Sequence, residues 1–360
     1  MTLPTTMKAM VTMGHGGLEQ MVFHTDWPRP EPTKGEVLIK VGACGLNNTD
    51  VNTRSGWYSK AVTEATTGGA FVEVGEDDPT WGGAPITFPR IQGADVCGMI
   101  VAVGGGVDPT RIGERVITDG WLRDVADPTN MDKTGYFGSE RDGGFSEYTT
   151  TPARNALVVK SNLSDAELAT FSCSYSTAEG MLIRAQVSRA DTVLVPGASG
   201  GVGGALVQLA KRRGARVIAM ASHAKHKEVD ALGPDKILLR APKNLRVALD
   251  DEKVTVVADI VGGLYWPNLI DILERGGRYT CSGAIAGPMV ELDLRTFYLR
   301  DLTFTGSTVI MPEVMLNLIR YIERGEVKPA LAATYPLDQL HDAQTAFIAK
   351  KHTGNIVVCP

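Results

Sequence analysis

Residues 193–204 read VLVPGASGGVGG, an apolar, β-branched run that continues into a glycine-rich segment and then into a helical pattern. A glycine-rich loop between a strand and a helix is the context of a dinucleotide-binding fingerprint. Gly197 permits a tight turn, Gly200 and Gly201 let the backbone approach a pyrophosphate, and Gly203 or Gly204 lets the helix pack closely on the sheet. Free N–H groups at the helix N-terminus favour phosphates. We therefore predict dinucleotide contacts from Gly197, Ser199, Gly200, Gly201 and Val202.

The segment that follows the next predicted strand, 216–220, contains no acid before Glu228. A carboxylate at this place would bind the ribose 2′-hydroxyl of NAD(H). The segment instead offers Ser222, Lys225 and Lys227, a hydroxyl and two cations that would attract a 2′-phosphate. A solvated basic start to a helix is the alternative explanation. The missing acid and the lysines together favour NADP(H).

From Ser164 onwards, predicted strands alternate with helices. Ser164 and Glu167 form a capping box ahead of an apolar run. The strands predicted at 192–195, 216–220, 254–258 and 277–281 are almost continuously apolar, which is typical of a parallel sheet covered on both faces. We predict further helices at 264–275, 312–324 and 337–350, the first of them ending at Gly276, and a last strand at 355–358.

The first part of the chain, residues 7–155, is predicted to be rich in β-structure. Short apolar runs at 36–41, 99–103 and 114–117 are bounded by glycines or prolines. Two long polar stretches, 59–88 and 121–144, interrupt this pattern as excursions without a sustained period. The first is expected to overhang the substrate end of the active-site cleft as a lid. A surface loop without a role is the alternative.

Composition limits the function classes. The chain has 360 residues, 43% of them hydrophobic and 21% charged, with 36 Lys and Arg against 41 Asp and Glu. These values predict a globular protein of about two domains and argue against a disordered chain or a nucleic-acid partner. No apolar run approaches the roughly 20 residues that cross a bilayer, so no membrane partner is expected. The five cysteines contain no C-x-x-C pair, so neither a disulfide framework nor a zinc knuckle is expected. No secretory signal is visible, and we expect a cytoplasmic location.

A β-rich part interrupted by a glycine-loop part resembles the medium-chain dehydrogenase/reductase superfamily over nearly the whole length. The resemblance is carried by the segments GADVCG (93–98), IGERV (112–116) and GGFSEY (143–148), besides the glycine loop. It implies an α/β fold in which a GroES-like β-barrel catalytic domain, 1–157 and 309–360, contains an inserted Rossmann cofactor domain, 158–308, with a doubly wound parallel sheet. The cofactor is then expected in the cleft between the domains.

The resemblance implies further contacts and a partner. Thr177 matches a family position beside the nicotinamide, and four other residues follow strand ends of the Rossmann sheet, where ligands collect: Gly262, Ala284, Ile285 and Ser307. Relatives commonly pair through the edge of that sheet, so a homodimer is expected through the apolar segment 302–310.

Zinc alcohol dehydrogenases of this superfamily provide a test for metal. They carry a ligand cysteine two residues before a Ser/Thr-Asp pair, and the matching position before Thr49 and Asp50 is Asn47. Their histidine ligand is replaced by Ala94, and only Cys173 has a counterpart. A catalytic zinc needs about three protein ligands. The cysteine-rich lobe that holds a structural zinc in these enzymes is also missing from 121–144, so we predict no metal site.

The segments CGLNNTD (44–50) and RSGWY (54–58) are similar to the quinone oxidoreductase branch, although Asn52 stands where some relatives have tyrosine. This implies NADPH-dependent hydride transfer to a small molecule, either a quinone or an α,β-unsaturated carbonyl. Asn47, Asn52 and Tyr58 are the candidate catalytic residues, because they can donate hydrogen bonds to the developing oxyanion. Asn47 fixing a turn and Tyr58 stacking in a core are the alternatives. A zinc-type alcohol dehydrogenase with altered ligands and a non-catalytic, crystallin-like NADPH-binding protein are the other functions considered.

Overall fold

The structure is a computed structural model that describes residues 3–66 and 86–360. Residues 67–85, most of the predicted lid, lie outside the described residues. The β-strands are β1 (Thr6–Thr12), β2 (Met21–Pro28), β3 (Glu36–Gly45), β4 (Asp95–Val103), β5 (Arg115–Thr118), β6 (Trp121–Leu122), β7 (Gly135–Tyr136), β8 (Tyr148–Pro152), β9 (Ala156–Val158), β10 (Thr192–Val195), β11 (Arg216–Ala221), β12 (Lys236–Leu239), β13 (Val254–Asp259), β14 (Leu273–Cys281), β15 (Thr303–Gly306), β16 (Leu331–Pro336) and β17 (Asn355–Cys359). The α-helices are α1 (Asn48–Ser55), α2 (Asp165–Leu168), α3 (Ser172–Arg184), α4 (Gly201–Arg212), α5 (His226–Asp230), α6 (Leu245–Leu249), α7 (Trp266–Asp271), α8 (Leu294–Leu299), α9 (Glu313–Glu323) and α10 (Leu340–Ile348).

Six parallel strands form one sheet in the order β12-β11-β10-β13-β14-β15. Strand β10 lies between β11 and β13, with Val193 paired to Val217 on one side and to Val256 on the other. The order of the strands reverses between β10 and β13, and ligands of doubly wound sheets bind in the crevice at that point. The sheet therefore places the glycine loop after β10 at the expected ligand-binding edge.

A second sheet joins the two ends of the chain. It runs β16-β17-β3-β4-β5-β9, and β8 also pairs with β3. Strand β17 is antiparallel to β3, with Val357 opposite Gly45. The C-terminal segment therefore completes a β-rich unit that the N-terminal half begins, and the six-stranded sheet is an insertion in that unit. The domain boundaries at 157/158 and 308/309 stay predictions.

Most predicted elements are present, with two differences at helix ends. The helix predicted at 264–275 is wrong in its second half, because α7 ends at Asp271 and β14 begins at Leu273. Leu273 is fully buried and pairs with Val254, and a register shift follows before Arg278 pairs with Val256. Sheet pairing therefore overrides the helical pattern. The helix predicted from 337 begins as α10 at Leu340, after a short 3₁₀ turn.

The described part of the chain includes no helix with the length and apolar character that crossing a membrane requires.

Candidate active site

The loops that follow β10 and β13 touch each other at the edge of the six-stranded sheet. Gly197 has a left-handed backbone (φ 68°), and a Cβ built there would lie 2.9 Å from Val261 Cγ2. Asp259, fully buried at the end of β13, accepts hydrogen bonds from the N–H groups of Val261 (2.7 Å) and Gly262. A left-handed residue here favours glycine. Gly197 and Gly262, both predicted cofactor residues, therefore lie on one continuous rim.

Close packing distinguishes the glycines of the loop. A Cβ on Gly203 would overlap the carbonyl oxygen of Gly197, whereas a Cβ on Gly204 would meet the end of the Leu232 side chain at 3.2 Å and the Ala198 carbonyl oxygen at an ordinary contact distance of 3.6 Å. Gly203 is therefore the residue that lets α4 pack on its own loop. Gly200, the N-cap of α4, has its nearest neighbour at 3.6 Å. Its surroundings leave the space that a backbone-bound pyrophosphate needs.

We expect Gly203→Ala to destabilise the protein by about 1–3 kcal/mol, because overpacking against backbone forces the helix to shift. Gly200→Ala is the matched control in the same loop, since alanine fits its backbone and its surroundings. Thermal unfolding of both variants measures the difference. Equal loss of stability in the two variants would show that the short distance between Gly203 and the Gly197 carbonyl is not what makes alanine unfavourable at position 203.

The other predicted cofactor residues lie along the same edge or close to it. A Cβ on Gly262 would be 3.3 Å from Ala284 Cβ, and the carbonyl of Ile285 accepts a hydrogen bond from Thr66 N–H at 3.0 Å. Ser307, just past β15, is buried, and its Oγ has no hydrogen-bond partner among the residues that the structure describes. This buried hydroxyl is available to a ligand. Ser199 and Val202 flank the opening of α4 and are half-buried.

A cavity of about 700 Å³ lies at the end of β11. Ser222 and Lys225 line it, as do residues that the sequence analysis did not select: Lys350, Lys351, His352 and Thr353. The Lys225 ammonium donates hydrogen bonds to the carbonyl oxygens of Lys350 (2.8 Å) and His352. Lys227 is exposed and is not part of the cavity lining. The structure therefore brings Lys225 together with a distant segment and leaves Lys227 at the surface.

Asn47 connects two buried carboxyl groups at the start of α1. Its N–H donates to Asp50 Oδ2 (2.8 Å), and its side-chain Nδ2 donates to Asp95 Oδ2 (3.0 Å). Asp95 Oδ1 accepts from Cys173 N–H (2.8 Å), and Asp50 Oδ1 accepts from Gly93 N–H (3.2 Å). Burial raises the pKa of each carboxyl to about 7, although these hydrogen bonds oppose the rise.

Tyr58 folds back on α1 after the left-handed Gly56 (φ 70°), which ends the helix. The side chains of Thr49 and Asn52, one turn apart on α1, hydrogen-bond with its phenol. Burial raises the pKa of Tyr58 to about 12, so the phenol stays protonated at neutral pH. The structure therefore brings the predicted Asn52 and Tyr58 together. Thr49 joins these two residues in the structure, although the sequence marks it only as the first member of the Thr49-Asp50 pair.

Cys173 lies beside this group in α3. Its thiol hydrogen-bonds with the side chains of Tyr136 and Thr177, and burial, reinforced by the charge of Asp95, raises its pKa to about 12. Tyr136 belongs to the polar stretch 121–144 and packs edge-on against Trp121. The predicted Thr177 therefore lies in contact with a neutral thiol, next to Asn47 and Asp95. Tyr136 carried no sequence signal.

Two family models match the chain, an alcohol dehydrogenase GroES-like domain at residues 33–161 and a zinc-binding dehydrogenase domain at 201–324. A solved structure of a putative alcohol dehydrogenase from Sinorhizobium meliloti 1021 is 45% identical, with a TM-score of 0.90, over 99% of this chain and 98% of that one. The chain belongs to the medium-chain dehydrogenase/reductase superfamily. The predicted GroES-like and Rossmann architecture is confirmed. A pyridine nucleotide cofactor is supported by the solved structure of mycobacterial Rv1454c complexed with NADPH, which is 26% identical with a TM-score of 0.78 over 99% of this chain and 100% of that one.

Two curated relatives place this medium-chain dehydrogenase/reductase in the quinone oxidoreductase-like branch. An NADPH-dependent alkenal/one oxidoreductase, chloroplastic, of Arabidopsis thaliana is 27% identical over 100% of this chain and 81% of its own length. A quinone oxidoreductase of Rattus norvegicus is 26% identical over 95% of this chain and 94% of its own length. The chain is an oxidoreductase that acts on small molecules.

The zinc implied by the second family model does not fit the residues present in this medium-chain dehydrogenase/reductase. The amide of Asn47 stands where a thiolate ligand is required and donates a hydrogen bond to Asp95. Ala94 offers no ligand atom. Within residues 3–66 and 86–360, no group of three or more His, Cys, Asp or Glu could hold a metal ion. The residues of the predicted dinucleotide site do fit a pyridine nucleotide. They offer an open space at Gly200, left-handed glycines at 197 and 262, and the buried Ser307 hydroxyl, which has no hydrogen-bond partner among the described residues.

Proposed function

We propose that the protein is an NADPH-dependent reductase that transfers hydride to a quinone or an α,β-unsaturated carbonyl without catalytic zinc. The Asn47–Asp95 hydrogen bond (3.0 Å) carries this proposal, because it places an amide where a thiolate ligand of zinc would stand and commits that amide to a neighbouring carboxyl. The names of the plant alkenal/one oxidoreductase and the rat quinone oxidoreductase support this substrate class.

The chain's residues would bind and orient the cofactor, which supplies the hydride. The loop residues 197–202 would hold the pyrophosphate, Ser222 and Lys225 the 2′-phosphate, and Thr177 the nicotinamide end. Polarising the acceptor falls to α1 and the residues after it. Asn47 keeps one amide N–H beyond its bond to Asp95, and Tyr58 keeps its proton at neutral pH. These donors would stabilise the oxyanion that develops on an enone or quinone.

The experiment that tests the function follows oxidation of NADPH and of NADH against quinones, alkenals and enoyl thioesters. We expect turnover of at least one of these classes, and NADPH preferred over NADH. Turnover of alcohols or simple ketones alone would favour the alcohol dehydrogenase alternative, which the name of the Sinorhizobium structure also suggests. Cofactor binding without any turnover would favour a crystallin-like role.

We expect the purified protein to contain far less than one zinc per chain and to keep its activity in a chelator. The reason is that Asn47 and Ala94 supply no thiolate or imidazole, so Cys173 lacks the partners that would make up the three protein ligands of a catalytic zinc. Elemental analysis of the protein, with a zinc alcohol dehydrogenase as the positive control, measures this. One equivalent of zinc together with chelator-sensitive activity would contradict it.

We also propose a cytoplasmic homodimer. Strand β15 is an edge of the six-stranded sheet, and nearby α8 carries Leu294, Tyr298 and Leu299, each more than half exposed. An open edge beside apolar side chains favours pairing with a second copy. All five cysteines are free, which fits a reducing compartment. Sedimentation at micromolar concentration is expected to give twice the mass of the chain, and a monomer would contradict the pairing.

A further inference from the structure

We propose that Lys350 is a specificity-determining residue for NADP(H), whose ammonium binds the 2′-phosphate, and that Asn48 is the positioning residue that holds this ammonium at the cavity. The proposal rests on the proposed NADPH dependence and deepens it. Lys350 lies beyond α10 in the C-terminal return of the β-rich unit, whereas Ser222 and Lys225 belong to the six-stranded unit. A phosphate in the cavity would therefore be held from both units.

The Lys350 side chain is fixed by two contacts. Its Nζ donates to Asn48 Oδ1 at 2.8 Å and lies 3.6 Å from the centre of the Phe347 ring. Asn48 is the first residue of α1, the helix that carries Thr49 and Asn52. An ammonium has three N–H groups, and the amide of Asn48 uses one of them. The contact therefore fixes the ammonium of a residue that lines the cavity without neutralising its charge.

The backbone at Lys350 is an independent observation. Its φ is 51°, left-handed, two residues after the end of α10. Glycine is the usual residue in this conformation after a helix, because a side chain there costs conformational free energy. Such an outlier is a reason to look for a function of the side chain. Here the side chain supplies a cation that glycine would not.

The charge balance of the cavity favours an anion. Two further lysines, Lys225 and Lys351, line it with Lys350, and Glu228 is the acid among the described lining residues. His352 also lines the cavity, but burial and the nearby lysines lower its pKa to about 4, so it adds no charge. Burial and the neighbouring Lys225 lower the pKa of Lys350 to about 7. Burial, and then the charge of Arg240, lower the pKa of Lys225. A phosphate dianion beside this ammonium would raise the pKa again, so binding near pH 8 should take up a proton.

The test measures binding by titration calorimetry, with 2′,5′-ADP as the probe that carries the 2′-phosphate and 5′-AMP as the probe that lacks only this group. Lys350→Met should weaken 2′,5′-ADP binding about ten- to a hundredfold, the range for a charged hydrogen bond, and leave 5′-AMP binding unchanged. In buffers of different ionisation enthalpy at pH 8, the wild type should take up a proton with 2′,5′-ADP, and this uptake should disappear in Lys350→Met. Asn48→Ala should weaken 2′,5′-ADP binding severalfold while keeping the uptake.

Lys350→Gly separates the phosphate contact from folding, because glycine relieves the left-handed backbone. We expect it to keep or raise the melting temperature and yet to lose 2′,5′-ADP affinity. Gln186→Gly is the matched control, since Gln186 is exposed and has the same φ of 51°; it should leave binding unchanged.

The outcomes distinguish the two proposals. Wild-type protein that binds 2′,5′-ADP no better than 5′-AMP would overturn the NADPH dependence itself. Protein that prefers 2′,5′-ADP, but whose Lys350 variants bind it like the wild type, would overturn only the role of Lys350. Loss of affinity for both probes in Lys350→Met and Lys350→Gly would assign Lys350 a structural role and likewise overturn it.

Discussion

Tyr58→Phe is expected to lower kcat for an enone about a hundredfold while leaving the Kd for NADPH unchanged. The Tyr58 phenol hydrogen-bonds with Thr49 and Asn52, and burial keeps its pKa near 12. It therefore holds its proton over the whole neutral range and can donate to a developing oxyanion. A positioned proton donor contributes about 10²–10⁴ in rate. Steady-state kinetics with a saturating enone and a fluorescence titration with NADPH measure the two quantities.

The matched control is Tyr298→Phe, on exposed α8, which should leave kcat unchanged. Ionisation of Tyr58 should not lower the wild-type kcat up to about pH 10, because the pKa of this phenol is about 12. A Tyr58→Phe variant with full kcat would leave Asn47 and Asn52 as the donors and remove Tyr58 from the proposed chemistry.

Asp95→Asn is expected to raise the free energy of unfolding at pH 8 by about 2–4 kcal/mol. Burial raises the pKa of Asp95 from 3.8 to about 7 in the folded state. A raised folded-state pKa gives stability that is fully present below pH 3.8 and is lost as the pH rises through 7. At pH 8 the folded wild type holds a buried carboxylate that the unfolded chain would solvate, and asparagine removes this cost.

Denaturant unfolding of both proteins at pH 8 and at pH 4 measures the effect. At pH 4 the folded wild type carries a protonated Asp95, so the two proteins should then differ much less. Asp50, whose pKa is also raised to about 7, is present in both and serves as a shared background. An Asp95→Asn variant that is less stable than the wild type at pH 8 would show that the hydrogen bonds from Asn47 and Cys173 require the carboxylate.

Much of the fold follows from local patterns in the sequence. The apolar strand before Gly197 and the helix after Gly201 are present where the pattern predicts them. The capping box at α2 is also confirmed, with Glu167 N–H donating to Ser164 Oγ at 3.2 Å. These features depend on contacts between residues close in sequence, so periodicity and glycine placement are enough to predict them. The helix expected through 275 is different, because the pairing of Leu273 with distant Val254 ends it early.

The predicted site residues carry chemistry that residue type already indicates. The missing acid after β11, the asparagine in place of a cysteine at 47 and the tyrosine at 58 are all read directly from the chain. The residues that surround them in the fold cannot be read from the chain in this way. Nothing near Lys225 in sequence indicates Lys350, and nothing near Cys173 indicates Tyr136, yet the fold brings each pair together.

The sequence by itself therefore determined the class of fold and the family, and it predicts the cofactor loop and the residue types that stand in place of zinc ligands. Tertiary structure decided which of two glycines packs the helix, which of two lysines lines the cavity, and which carboxyl groups are buried next to Asn47. The physical reason is the range of the interactions. Loops and helices form from residues that are neighbours in the sequence. The charges, pKa values and hydrogen bonds of a site depend on residues that packing brings together, and these can be more than a hundred positions apart, as Lys225 and Lys350 are.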